Sequence, residues 1–207
     1  MNLSQLIQCQ ETQHTFILKG NRKYVHGTDI FDFIMALLKK NVHEIAHFDI
    51  SFPHAILNHN CQLILSKTQD DVHNKAPLCK GQFEFHGDIF YFGLNEQTTT
   101  SVAKVRSYDE HEIVSHSKLT EQGAILLPSK GYSLIESLVA LTKQYHNKYQ
   151  PLSDKKWLFA RLKLAEIPQD FQTIEIVLQS SITNKLTRSQ LLVNDQGIGE
   201  IYFTASK

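Results

Sequence analysis

The strongest constraint on this chain is that it repeats itself. The segment from Gly27, GTDIFDFIMALLKK, aligns without a gap on the segment from Gly131, GYSLIESLVALTKQ, 104 residues further on and so half a chain length away. Apolar residues recur at the spacing of one helix face in both: Ile30, Phe31, Ile34, Met35, Leu37 and Leu38 in the first, and Leu134, Ile135, Leu138, Val139 and Leu141 in the second. Each reads as an amphipathic helix opened by a glycine. Any two buried helices look alike, so the order of the flanking segments decides whether this is a true repeat.

That order is kept. After the first helix come HFDISF, CQLILSK and KGQFEFHGDIFYFGL, and after the second WLFARLKLAEI, TIEIVLQSS and RSQLLVNDQGIGEIYFTA, all mixing branched and aromatic residues with polar ones as strands do. The closing runs share a pattern, GDIFYF from Gly87 and GEIYFT from Gly199, at an offset of 112, so the second half has gained about eight residues, placed around YHNKYQPLSD. Pro53 and Pro168 fall at strand ends, where a missing N–H does least harm, and Asn194 to Gly197 supply hairpin chemistry. A strand, a helix and several antiparallel strands, twice over, predict an α+β chain of two tandem units, each an antiparallel sheet wrapped around a central helix. The expected division is residues 1–98, a crossover at 99–112 that hides a strand in VAKVRSY, and residues 113–207.

Composition removes several classes of function. Among 207 residues, 21 Lys and Arg balance 21 Asp and Glu with no basic stripe, so the electrostatic footprint of a nucleic-acid binder is absent. No basic and apolar leader opens the chain, and no apolar run approaches the roughly 18 residues of a membrane span, so a cytoplasmic protein with no membrane contact is expected. Cys9, Cys61 and Cys79 are odd in number and lack CxxC spacing, which reads as three free thiols. Eleven histidines raise a metal hypothesis, but His43 with His47 and His54 with His59 bring no HExxH-like carboxylate set, so neither a metal nor another cofactor is expected. No GxSxG elbow, P-loop or dinucleotide fingerprint offers another chemistry.

The whole chain, from about residue 14 to 205, resembles the double hot-dog dehydratases, especially the dehydratase domains of polyketide synthases. One unit at a time it is similar to stand-alone beta-hydroxyacyl-ACP dehydratases and to MaoC-type hydratases. The carrying features are His26-Gly27 with the apolar helix and HFDISFPHAILNHNCQLIL, then LLPSKGYSLIESLVAL and the final VNDQGIGEIYF. The MaoC phrase GDxNPxH is missing. The resemblance implies a 3-hydroxyacyl thioester substrate on acyl carrier protein or CoA, in fatty-acid or polyketide-type biosynthesis. One His would take the alpha proton and one Asp or Glu would protonate the leaving hydroxyl across a hydrophobic tunnel. Backbone N–H groups at the opening glycines, Gly27 and Gly131, would bind the thioester carbonyl.

Carried over by position, the helix acid falls on Glu136 and on Asp32, each five residues after its glycine; an acid there also simply favours the helix dipole. The base falls on His14, although the family's HxxxG spacing is broken, with Gly20 six residues on and His26 in the place of the family's proline. His26 is an alternative base or a donor to the thioester carbonyl, or else a capping histidine, and His116 stands in the second unit where His14 stands in the first. Two rivals remain: an acyl thioesterase, in which the acid directs water onto the carbonyl, and a catalytically degenerate partner or scaffold protein. An exposed sheet edge would favour a homodimer, or a heterodimer with another hot-dog protein.

Overall fold

The computed structural model describes residues 11–38, 44–98 and 102–206. Cys9 and His43 lie outside the described residues. The chain divides between Tyr108 and Asp109 into two compact units.

The first unit runs β1 (Glu11–Thr15), β2 (Leu18–Lys19), α1 (Gly27–Leu37), β3 (Ile45–Ser51), β4 (Asn60–Ser66), α2 (Gln69–His73), β5 (Cys79–Phe85), β6 (Asp88–Glu96) and β7 (Val105–Arg106). Antiparallel pairing gives the order β1-β4-β6-β5-β3. Across four strand spacings a flat sheet would part β1 from β3 by about 19 Å, wider than a helix. Yet α1 touches both ends: Phe33 meets His14 and Phe16 beside β1, and Phe31 packs edge-on against Phe48 of β3. The sheet therefore curves around α1. Ile30, Phe31 and Ile34 are buried along the helix face that the spacing marks, with Met35 and Leu37 half-buried. VAKVRSY does hold a strand, two residues long: Val105–Arg106 pairs in parallel with Leu18–Lys19.

The second unit runs α3 (Glu110–Ile113), β8 (Ser117–Leu119), β9 (Gly123–Leu126), α4 (Leu134–Tyr149), β10 (Trp157–Glu166), β11 (Ile174–Ile182), β12 (Leu186–Val193) and β13 (Gln196–Ala205). Its order is β10-β13-β12-β11-β9-β8. Helix α4 packs on β9, β10 and β11, again reaching strands four spacings apart. It is buried on nearly every side from Leu134 to Leu141, and Tyr145 and His146 are buried as well. At 16 residues against 11 in α1, it absorbs the YHNKY portion of the extra length in the second half.

Three local expectations change. Helix α4 starts at Leu134, not at Gly131, because Ser133 caps it; Gly131 sits in the turn ahead with φ +95, a conformation suited to glycine. Gly87 and Gly199, matched in the closing runs, are not equivalent: Gly87 lies in the two-residue turn between β5 and β6, and Gly199 lies inside β13. The strands after the helix also follow different paths. In the first unit, β4 pairs with β6, and β5 lies against β3; in the second, β11 pairs with β12, and β13 lies against β10. Residues 67–78, carrying α2, let the chain of the first unit skip one strand position, whereas residues 183–185 turn β11 directly into β12.

The NDQG expectation resolves into a type I′ turn. Val193 pairs with Gln196, and the two linking residues, Asn194 and Asp195, have φ of +51 and +64. Asn and Asp tolerate this left-handed region better than other side-chain-bearing residues. The Asn194 carboxamide oxygen also accepts from the N–H groups of Gln172 and Thr173, tying the turn to the start of β11.

Candidate functional site

In the first unit, His14 extends from β1, paired in register with Cys61 of β4. Its ring stacks on Phe33 of α1, with centroids 4.1 Å apart and planes 21° from parallel, and meets Phe16 edge-on at 4.5 Å. Burial against these apolar rings favours the neutral imidazole and lowers its pKa from 6.5. A neutral imidazole carries a lone pair able to take a proton.

His26 stands elsewhere, at the N-cap position of α1, where its side chain makes no capping bond. Its Nδ1 lies 2.7 Å from the Thr28 hydroxyl, which in turn accepts from the Lys19 ammonium at 2.6 Å. Lys19 is fully buried and pairs at 3.0 Å with Asp29, whose same oxygen receives the Arg106 guanidinium at 2.8 Å. The Tyr108 ring covers this cluster, 4.6 Å from the Lys19 nitrogen and 5.0 Å from the Arg22 guanidinium carbon. A buried ammonium needs this much compensation, because desolvation alone would cost several kcal/mol. None of Lys19, Thr28, Asp29, Arg106 and Tyr108 is a sequence-level candidate. Lys19 sits among apolar and small residues in FILKG, which is a faint sign of burial, but its partners at 106 and 108 follow no local pattern.

Gly27 is the first residue of α1, so its N–H is one of the unpaired helix-start donors that the resemblance assigns to a carbonyl. Asp32 is half-buried and is the sixth helical residue. Glu136 is the third residue of α4, so by helix position its counterpart in α1 is Asp29. The reason is that α1 begins three residues earlier along the matched sequence than α4 does. His116 is exposed after α3.

Glu136 closes a capping box. Its carboxylate oxygen Oε2 accepts from the Ser133 N–H at 3.0 Å, and its own N–H donates to the Ser133 hydroxyl at 3.3 Å. The side chain is nevertheless buried, at 6% exposure, which is unusual for a capping acid on a surface helix. Nearby, Tyr132 donates to Glu112 at 2.7 Å, and that bond to a carboxylate pushes the Tyr132 phenol up to about 12.

Deeper in the second unit, His146 of α4 lies against Trp157 and Phe203, with Nε2 2.9 Å from the Thr187 hydroxyl. Burial lowers its pKa to about 4. Cys61 and Cys79 are buried free thiols, and desolvation raises Cys61 to about 12 and Cys79 higher still, so neither is a ready nucleophile. Among the described residues no group of three or more His, Cys, Asp or Glu is placed to hold a metal ion, and no helix is long and apolar enough to cross a membrane.

No protein-family model matches the sequence, and no curated protein matches it either. Solved structures do. The dehydratase domain of PpsC from Mycobacterium tuberculosis, in complex with C12:1-CoA, is similar with a TM-score of 0.51 and 7% identity, over 95% of this chain and 93% of that one. A candidate thioesterase II from Thermobifida fusca YX is similar with a TM-score of 0.51 and 7% identity, over 96% and 93%. The dehydratase domain from the CurK module of the curacin polyketide synthase covers 100% of this chain and 88% of its own, at a TM-score of 0.49 and 10% identity. Two units, each with antiparallel strands curved around one helix, together with this likeness give the chain the double hot-dog fold of polyketide synthase dehydratase domains.

Proposed function

We propose that this protein removes water from, or adds it to, an acyl chain held as a thioester on acyl carrier protein or CoA. In this reading His14 is the base and Glu136 the acid. The observation that carries the reading is the half-buried imidazole of His14, kept neutral by its place between Phe16 and Phe33 and so able to accept the alpha proton near pH 7. As that C–H electron pair forms the new double bond, the 3-hydroxyl leaves and takes the proton of Glu136. Protonation at Oε1 is compatible with Oε2 keeping the Ser133 N–H. Asp32, one helical turn beyond the position of Glu136 in its own helix, is the weaker acid candidate.

The test is enoyl formation from 3-hydroxyacyl-pantetheine thioesters of several lengths. His14→Phe keeps the aromatic stack and removes the base, and Glu136→Gln keeps the capping geometry and removes the acid; each should lower turnover a hundredfold or more, in line with the roughly 10²–10⁴ that positioned acid–base groups contribute. Full activity in either variant overturns its assignment.

Thioester hydrolysis is the second reading, favoured by one observation: Glu136 already serves as a hydrogen-bond acceptor, the form in which a carboxylate directs water. Free acid and thiol in place of the enoyl thioester would select it. Absence of both products would leave the scaffold reading.

A further inference from the structure

Hydroxyl bookkeeping around Thr28 decides how His26 is protonated. The Thr28 side chain is fully buried, and its hydroxyl has one proton to donate and lone pairs to accept with. Lys19, an ammonium with no acceptor, uses one lone pair at 2.6 Å. The remaining neighbour is His26 Nδ1 at 2.7 Å. Were Nδ1 to carry the imidazole proton, it too would donate to Thr28, and the hydroxyl proton would be left in the interior without an acceptor. A buried hydroxyl proton left without an acceptor costs more than the small intrinsic difference between imidazole tautomers. The arrangement is satisfied in full only if Lys19 donates to Thr28, Thr28 donates to Nδ1, and the ring proton sits on Nε2.

We propose that Lys19 and Thr28 are positioning residues that hold the neutral His26 ring as its Nε2–H tautomer. Nε2 is then a hydrogen-bond donor and cannot act as the proton acceptor. Asp29 belongs to the same device: by pairing with the Lys19 ammonium it sets the direction in which that ammonium donates. In the acyl-thioester reading, on which the substrate side of this inference rests, His26 donates to the thioester carbonyl oxygen from the head of α1, where Gly27 also presents its N–H. The base role is thereby left to His14.

The tautomer can be read without substrate. In 15N-labelled protein near neutral pH, two-bond correlations of the His26 ring should show a pyridine-type Nδ1 and a pyrrole-type Nε2. Thr28→Val removes the hydroxyl at nearly constant shape and should move the ring toward Nδ1–H, while Thr28→Ser should restore the wild-type pattern. A wild-type ring protonated at Nδ1 overturns the inference, as does a Thr28→Val spectrum that keeps the wild-type tautomer; if that variant does not fold, the wild-type spectrum still decides. The enoyl assay separates this from the functional reading. An Nε2–H ring without turnover fails the dehydratase and keeps the relay, whereas turnover with an Nδ1–H ring does the reverse.

Discussion

Ser133 and Glu136 hold each other at the head of α4: the serine N–H donates to the glutamate carboxylate, and the glutamate N–H donates to the serine hydroxyl. In the proposed reading the same side chain also serves the chemistry, and the two roles can be separated. Glu136→Gln should keep the thermal midpoint within about a degree or two and lose turnover, whereas Glu136→Ala should also destabilise the unit by about 1 kcal/mol, the usual worth of a cap. Calorimetry and the enoyl assay, run on both variants, check this.

The His14 ring should leave its mark on the pH profile. Because burial lowers its pKa from 6.5, the unprotonated base persists below the usual histidine range. The acidic limb of kcat/KM should have its midpoint under 6.5, with a plateau above, and His14→Phe should abolish the limb together with the rate. A midpoint at or above 6.5 would place the base elsewhere.

His146 makes stability depend on pH in a defined direction. Its folded pKa of about 4 lies below the unfolded 6.5, so between those values the unfolded chain binds more protons. This contribution is full above pH 6.5 and is lost as pH falls toward 4, a difference on the order of 3 kcal/mol. Urea titrations of the second unit's unfolding from pH 7 to 4 should show it. The double variant His146→Leu, Thr187→Val removes both hydrogen-bonding partners together and should flatten that part of the curve.

Gly81 allows β5 to pass close to its neighbours. A Cβ there would stand 2.2 Å from the carbonyl oxygen of Asp49 and 2.3 Å from the ring of Phe92. Since Phe92 stacks on Phe48, which packs on α1, the ring has little room to retreat. Gly81→Ala should cost at least the roughly 1–3 kcal/mol of an overpacked core, seen as a lower denaturant midpoint at unchanged m-value.

The architecture was legible because it rests on local periodicity. Ile30, Phe31 and Ile34, and Leu134, Ile135 and Leu138, are buried as their spacing demands, and the strand runs fall where branched and aromatic residues gather. Strand order was not legible, since β5 and β12 look alike in sequence and the path between strands depends on loop length and on what each edge meets. The candidate acids and histidines could be named from position alone. The cluster beside His26 could not, because Lys19 and Arg106 meet at Asp29, and Tyr108 meets the His26 ring, from segments that carry no shared spacing.

The different strand paths also give the two halves different routes to their native state. In the second unit, β11, β12 and β13 form a meander in which each strand pairs with the next across turns of three and two residues. Hairpins of that kind close within microseconds and ask little loop entropy. In the first unit, β4 must wait for β6, with α2 and β5 intervening before its partner exists. Residues 174–205 are thus the segment best able to nucleate folding, and the first unit is the one whose half-formed sheet stays open longer to pairing with a neighbouring chain.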